Sequence, residues 1–167
     1  VGWLWSANGT GTAQTTTGTT AGNYTVVVTD AQGCESAPAT GILTVNALPA
    51  AAVNSEAICD GDPAATFTAT SATAVGWLWS ANGTGTAQTT TGTTAGNYTV
   101  VVTDAQGCES APATGILTVN ALPAATVNSE AICDGDPAAT FTATSATAVG
   151  WLWSANGTGT AQTTTGT

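Results

Sequence analysis

The chain has no lysine, no arginine and no histidine, while ten aspartates and glutamates give it a formal net charge of −10. A protein without a cation cannot neutralise phosphates, which excludes nucleic acid as a partner. It has nothing to draw it to an anionic membrane surface either. No side-chain salt bridge can form, so each carboxylate must be solvated, hydrogen-bonded or bound to a metal. A general base near neutrality and a cationic stabiliser of a transition state are both missing. The sequence therefore reads as non-catalytic, with no cofactor. Trypsin-like proteases find no cleavage site in it. Methionine is absent, and no apolar run approaches the roughly 18 residues of a membrane-spanning helix. No signal-peptide pattern is present, and because Val1 falls inside a repeat, a targeting segment could lie outside this stretch.

What is there is dominated by repetition. The stretch V-G-W-L-W-S-A-N-G-T-G-T-A-Q occurs three times, beginning at Val1, Val75 and Val149. A shift of 74 residues overlays 93 positions, of which only Ala52 against Thr126 differs. A period of that length is too long for a solenoid coil and suits a small bead-like domain. The expected division is a partial unit over 1–46, a complete unit over 47–120 and a second partial unit over 121–167. A bead this small has a thin core and usually needs a staple.

Threonine and valine are abundant, and both favour strands. Within the complete unit, Ala47-Leu48-Pro49 reads as a short joint and 50–58 as a first extended segment ending at Cys59. Asp60-Gly61-Asp62-Pro63 is a turn by composition. Ala65-Thr66-Phe67-Thr68-Ala69-Thr70 alternates with period 2, which points Phe67 inward. Val75-Gly76-Trp77-Leu78-Trp79 follows as a strand with both tryptophans on one face, and Asn82-Gly83 signals a hairpin turn. Residues 84–94 read as one or two short exposed strands with little share in the core. The run from Gly96 to Thr103 places Tyr98, Val100 and Val102 on one face. Asp104 to Cys108 turns the chain, and Ile116-Leu117-Thr118-Val119 is the last strand. About seven short strands and no helical period predict an all-β fold of tandem β-sandwich domains, 74 residues to the repeat. Neither partial unit has enough strands to close a core alone.

The segments W-L-W-S-A-N-G-T-G-T-A-Q-T, A-G-N-Y-T-V-V-V-T-D-A-Q-G-C and T-V-N-A-L-P resemble the tandem Ig-like or PKD-like repeats of secreted surface proteins in gliding and related Bacteroidota. The resemblance spans the whole period, including the early cysteine of A-I-C-D-G-D. It implies an extracellular immunoglobulin-like sandwich, found in adhesins or filaments and exported by a type IX route, and it implies no enzyme. Near-identity of the copies and the lack of lysine and arginine depart from that family. Its pattern of one early and one late cysteine implies a Cys59–Cys108 disulfide inside the complete unit. Such a bond would contribute about 4 kcal/mol in the chain-entropy model. Cys34–Cys59 and Cys108–Cys133, bonded across the joints, remain as alternatives.

Other constellations have plain structural readings. Trp77 and Trp79 could offer a sugar platform, but a strand tryptophan in such a sandwich packs in the core. Tyr98, near the start of its strand, fits a tyrosine corner. Threonine runs such as Thr15-Thr16-Thr17 lack the short period of an ice-binding array. Asn8-Gly9-Thr10 and Asn23-Tyr24-Thr25 match a glycosylation sequon that is also an ordinary turn sequence. Asp60 and Asp62 fit a turn better than a pair of glycosidase carboxylates. The five carboxylates of a unit, Glu56, Asp60, Asp62, Asp104 and Glu109, would crowd one end if the disulfide formed. Ca²⁺, with its preference for oxygen ligands, would be the counter-charge for such a cluster; without a recognisable calcium loop, solvated turns and no metal are favoured.

The candidate core is Phe67, Trp79, Tyr98, Val100 and Val102. The expected function is structural: an extracellular or cell-surface filament or adhesin stalk, whose partners are copies of itself or neighbouring repeats. A carbohydrate- or surface-binding module repeated in tandem is the alternative. Two readings of the partial units stay open. Either the polypeptide continues through both, or separate subunits complete one another by strand exchange. Because 149–167 duplicates 1–19, exchange would supply one segment twice, which favours continuation.

Overall fold

Threonine alternating with apolar residues is the basis of nearly all the regular structure. In the computed structural model, which describes residues 1–154, 157 and 159–166, every regular element is a strand. The first partial unit holds β1 (Gly2–Ala7), β2 (Gly22–Thr29) and β3 (Ala39–Leu43). The complete unit holds β4 (Ala52–Val53), β5 (Glu56–Cys59), β6 (Ala65–Thr70), β7 (Ala74–Ala81), β8 (Thr89–Gly92), β9 (Gly96–Asp104) and β10 (Ala113–Asn120). The second partial unit holds β11 (Thr126–Val127), β12 (Ala139–Thr144) and β13 (Thr163–Gly166).

In the complete unit the strands form two layers. One is a four-stranded sheet in the order β5-β10-β9-β7, the other a three-stranded sheet in the order β4-β6-β8. All pairings are antiparallel except β5 with β10, which run parallel from Leu117↔Glu56 to Asn120↔Cys59. This is an all-β, immunoglobulin-like sandwich.

The extended segment expected over 50–58 is in fact two strands, one in each layer. The break lies at Asn54 and Ser55, whose side chains substitute for a continued ladder. The Asn54 carboxamide accepts from the Thr68 amide at 2.7 Å and donates to the Thr66 carbonyl at 3.0 Å. Ser55 Oγ accepts from the Ile116 amide at 3.0 Å on the opposite sheet. The chain therefore changes layer with its backbone neighbours satisfied, as buried polar groups require.

Phe67, Trp79, Tyr98, Val100, Val102, Ala69 and Leu117 are buried together. The Phe67 and Tyr98 rings stack across the layers with centroids 4.0 Å apart and planes 8° from parallel. The Tyr98 hydroxyl donates to the Thr94 carbonyl at 3.0 Å, four residues upstream. A Cβ at Gly92 would meet that hydroxyl, so only glycine fits at the end of β8. Trp79 closes its side of the core, with Nε1 donating to the Ala87 carbonyl at 2.9 Å.

Two expectations about the middle of the unit change. Asn82-Gly83 makes no hairpin between paired strands. β7 ends at Ala81, at φ 61°, and Gly83 N–H donates to the Ser80 carbonyl at 3.1 Å. The chain then crosses to the other layer, since β7 pairs with β9 and β8 with β6. Residues 84–94 contribute one strand, and it reaches the core: Thr90 lies opposite Phe67 in the register and is buried. Its hydroxyl donates to the Thr84 carbonyl at 3.1 Å, which lets a polar residue sit there without cost.

Each partial unit carries one layer. β1-β2-β3 repeats the β7-β9-β10 pairing, with Trp5↔Val26 standing for Trp79↔Val100. β11-β12-β13 repeats β4-β6-β8, with Phe141↔Thr164 standing for Phe67↔Thr90.

Phe67→Ala should cost about 3–5 kcal/mol, the range for emptying a buried aromatic position. Tyr98→Phe, which removes one hydroxyl bond, should cost about 1 kcal/mol. Urea denaturation monitored by tryptophan fluorescence measures both. A smaller loss for Phe67→Ala than for Tyr98→Phe would contradict the central place given to the ring stack.

Candidate interaction surface

The pairings define two ends of the complete unit. At the near end, where the chain enters, Ala52 lies opposite Thr70 and Ala74 opposite Asp104. At the far end, where it leaves, Asn120 lies opposite Cys59 and Leu117 opposite Gly96.

This register overturns the Cys59–Cys108 disulfide. Cys59 ends β5 at the far end, whereas the Cys108 carbonyl accepts from the Asp104 amide at the near end. Between them runs the length of β9, nine residues, or about 25 Å at the usual rise per strand residue. A disulfide needs Cα atoms within about 7 Å. Cys34, Cys59, Cys108 and Cys133 are all free thiols in this structure. The unit is held by its two-layer core and not by a covalent staple.

The carboxylates do not gather either. Asp62 Oδ2 accepts from the Cys59 amide at 2.8 Å at the far end. Asp104 Oδ1 accepts from the amides of Gln106 and Cys108, both at 2.9 Å, at the near end. Glu56 accepts from the Asn54 carboxamide. Each of these acids completes a local backbone or side-chain pair. Among the described residues no three His, Cys, Asp or Glu side chains are grouped as a metal would need.

Trp79 is buried and Trp77 is packed against the core from its edge, so neither stands free as a platform for a sugar in the complete unit. Single apolar side chains such as Val75, Leu78 and Ile116 stand exposed on the complete unit, and a concave apolar surface lies on the first partial unit. A groove of about 490 Å³ runs over the first one, lined by Trp5, Thr16, Gly18, Tyr24, Val26, Gly41 and Leu43 among others. The equivalent floor in the complete unit is covered. There Phe67 stacks on Tyr98, and a Cβ on Gly115 would meet the Asn54 carbonyl and lie 2.8 Å from Val53 Cγ1. At Gly41, the counterpart of Gly115, a Cβ would meet nothing within 4 Å. Sequence reasoning identified the missing strands but not this slot, because its shape depends on which strands share a layer.

Neither a protein-family model nor a curated protein matches the chain. Among solved structures it is similar to the fibronectin(III)-like modules of Clostridium thermocellum CbhA. The identity is 17% over 72% of this chain and 78% of that one, with a TM-score of 0.40. The sandwich assignment stands on the strand pairings described above. Among the described residues no helix is long and apolar enough to cross a membrane.

All four thiols should react with a colorimetric disulfide reagent without denaturant, Cys108 most slowly because it alone is partly buried. A reductant should leave the melting temperature unchanged. A Cys59–Cys108 crosslink in a non-reduced peptic digest, confirmed in a chain lacking Cys34 and Cys133, would contradict the register.

Proposed function

We propose that this chain is a structural protein, a run of immunoglobulin-like units belonging to an extracellular filament or adhesin stalk. The observation that carries this reading is the separation of the unit's two ends. The chain enters beside Thr70 and leaves beside Cys59 at the opposite end. Successive copies of such a unit extend in a line and do not fold back on one another. The joint between them is as short as Ala121-Leu122-Pro123, which leaves little slack, and its proline stiffens it further.

The surface chemistry supports the same role. A threonine-rich exterior with net negative charge and no cation keeps strands solvated and discourages adventitious contacts. The absence of lysine and arginine also removes trypsin-type cleavage, an advantage for a protein outside the cell. Units that are identical at all but one overlaid position need carry no individual ligand; their repetition supplies length.

Electron micrographs of the assembled protein should show beaded fibres with an axial repeat of about 35–40 Å per unit, from the rise of a strand plus its turns. Compact particles without such a repeat would contradict the filament. EDTA should leave the melting temperature unchanged, since each of Asp62 and Asp104 is already engaged with backbone amides. A fall on chelation would return calcium to the near or far end.

A further inference from the structure

We propose that a second copy of this chain lies side by side with the first, the two meeting through the outer face of the sheet β5-β10-β9-β7. The proposal extends the filament reading from one line of units to the contact between two lines, and rests on that reading only for the setting.

The face follows from the register. Trp77, Trp79, Val100, Val102 and Leu117 face the core, so their neighbours along each strand point to solvent. Most of those outward positions are small or polar, as Ser80, Thr99 and Thr114 are. Three are not. Leu78 on β7 lies opposite Val101 on β9, and Ile116 on β10 lies opposite Asn97, further along β9. Leu78 is 60% exposed and Ile116 53%. The outer face of the other layer is written differently. On β6 and β8 it is threonine, with Thr66 opposite Thr91 and Thr68 opposite Thr89. A solvated strand in this fold therefore needs no leucine or isoleucine on its outside. Covering those side chains removes apolar area from water and favours association.

Charge selects the occupant. The chain has ten carboxylates and no lysine, arginine or histidine, so two copies form no side-chain ion pairs and repel wherever acid faces acid. On the complete unit the acids are kept off the middle of this face. Glu56 lies opposite Leu117, and so on the core side of its sheet. Asp60 and Asp62 occupy the turn at the far end. Asp104 is buried at the near end. Glu109, bridged to Thr103, marks the near rim. Between those rims a second polyanion of this kind can approach without setting carboxylate against carboxylate.

Area adds a further condition. Four strands about 4.8 Å apart, each giving about six residues at a rise of about 3.3 Å, make a face of about 400 Å². Two such faces bury about 800 Å², short of the roughly 1,200 Å² at which specific interfaces begin. The same face recurs on β1-β2-β3. There Leu4 lies opposite Val27, and Leu4 and Ile42 are 60% and 77% exposed. This is the side of the sheet turned away from the groove, so it is the same whatever covers the groove. Its three strands add about 300 Å² to each copy, which brings the total to about 1,400 Å². Residues 2–46 repeat 76–120 without a difference. The two faces are therefore set alike in every copy, and contact at one brings the other into place.

The test uses the whole chain as wild type, as Leu4→Glu/Leu78→Glu and as Thr17→Glu/Thr91→Glu. Thr91 lies on the outer face of the other layer and Thr17 is its counterpart, so the last variant adds the same charge elsewhere. All the replaced side chains are exposed, and the circular dichroism spectrum should be the same in each form. In sedimentation equilibrium the wild type should pass from 16.2 kDa toward twice that mass as concentration rises. Salt should strengthen the pairing, because it screens the acids at the rims. The leucine double variant should stay at the single-chain mass, and the threonine variant should pair like the wild type. Leu78→Glu alone should weaken pairing about a hundredfold, since it leaves one contact of two. Pairing of the leucine double variant like that of the wild type would overturn the proposal. Equal loss in both double variants would overturn it too, by showing that added charge alone is responsible. A wild type that stays at 16.2 kDa at every concentration would do the same and leave the face to a different partner. Electron micrographs separate this contact from the filament. Paired particles without a beaded repeat would defeat the filament and leave the contact. Single beaded threads from both the wild type and the leucine variant would defeat the contact and leave the filament.

Discussion

The ring of Phe67 lying flat on the ring of Tyr98 is the contact on which the sandwich depends. One ring comes from each layer, and the remaining core is mostly alanine and valine, which fill space but reach little distance. The flanking devices keep the pair in register. The Tyr98 hydroxyl is tethered to Thr94, Gly92 makes room for it, and the Asn54 carboxamide holds the strand that presents Phe67. Aromatic residues are few in this chain, and concentrating two of them at the centre yields a large area of buried apolar surface per residue.

The missing cations shape the rest. Where many proteins pair carboxylates with lysine or arginine, here they accept from backbone amides in turns. Asp30 repeats in the first unit what Asp104 does in the complete one, and Asp136 repeats Asp62. Threonine hydroxyls supply further pairs between strands, as Thr99 with Thr114 at 2.8 Å. Such bonds are short-range and insensitive to salt compared with ion pairs across a surface, so the unit's stability should depend little on ionic strength apart from its uniform negative charge.

How much of this was legible before the structure depends on the kind of information. Strand β9 is written in the alternation of Tyr98, Val100 and Val102 with neighbours that are polar or only half-buried, because a period of two is a property of the strand itself. The all-β class follows from the same periodicity. The split of the first strand was not legible, because it depends on Asn54 meeting Thr66 and Thr68, more than ten residues away. The cysteines misled for a related reason. One early and one late cysteine look like a staple until it is known that β5 runs parallel to β10, and strand direction leaves no trace in composition or period. The open groove belongs with these, since it is defined by layer membership.

The parallel pairing of β5 and β10 has a mechanical consequence. β10 is the strand by which the backbone leaves, β5 follows the two-residue β4 by which it enters, and the four paired positions of β5 and β10 lie side by side. Tension carried past the two pairs of β4 with β6 would slide β5 along β10 and strain all four of those positions at once. In an antiparallel terminal pair the same tension would peel them apart one by one. Resistance to pulling is governed by the rate of rupture and not by equilibrium stability, so the size of the core alone would not set how long such a unit holds under load.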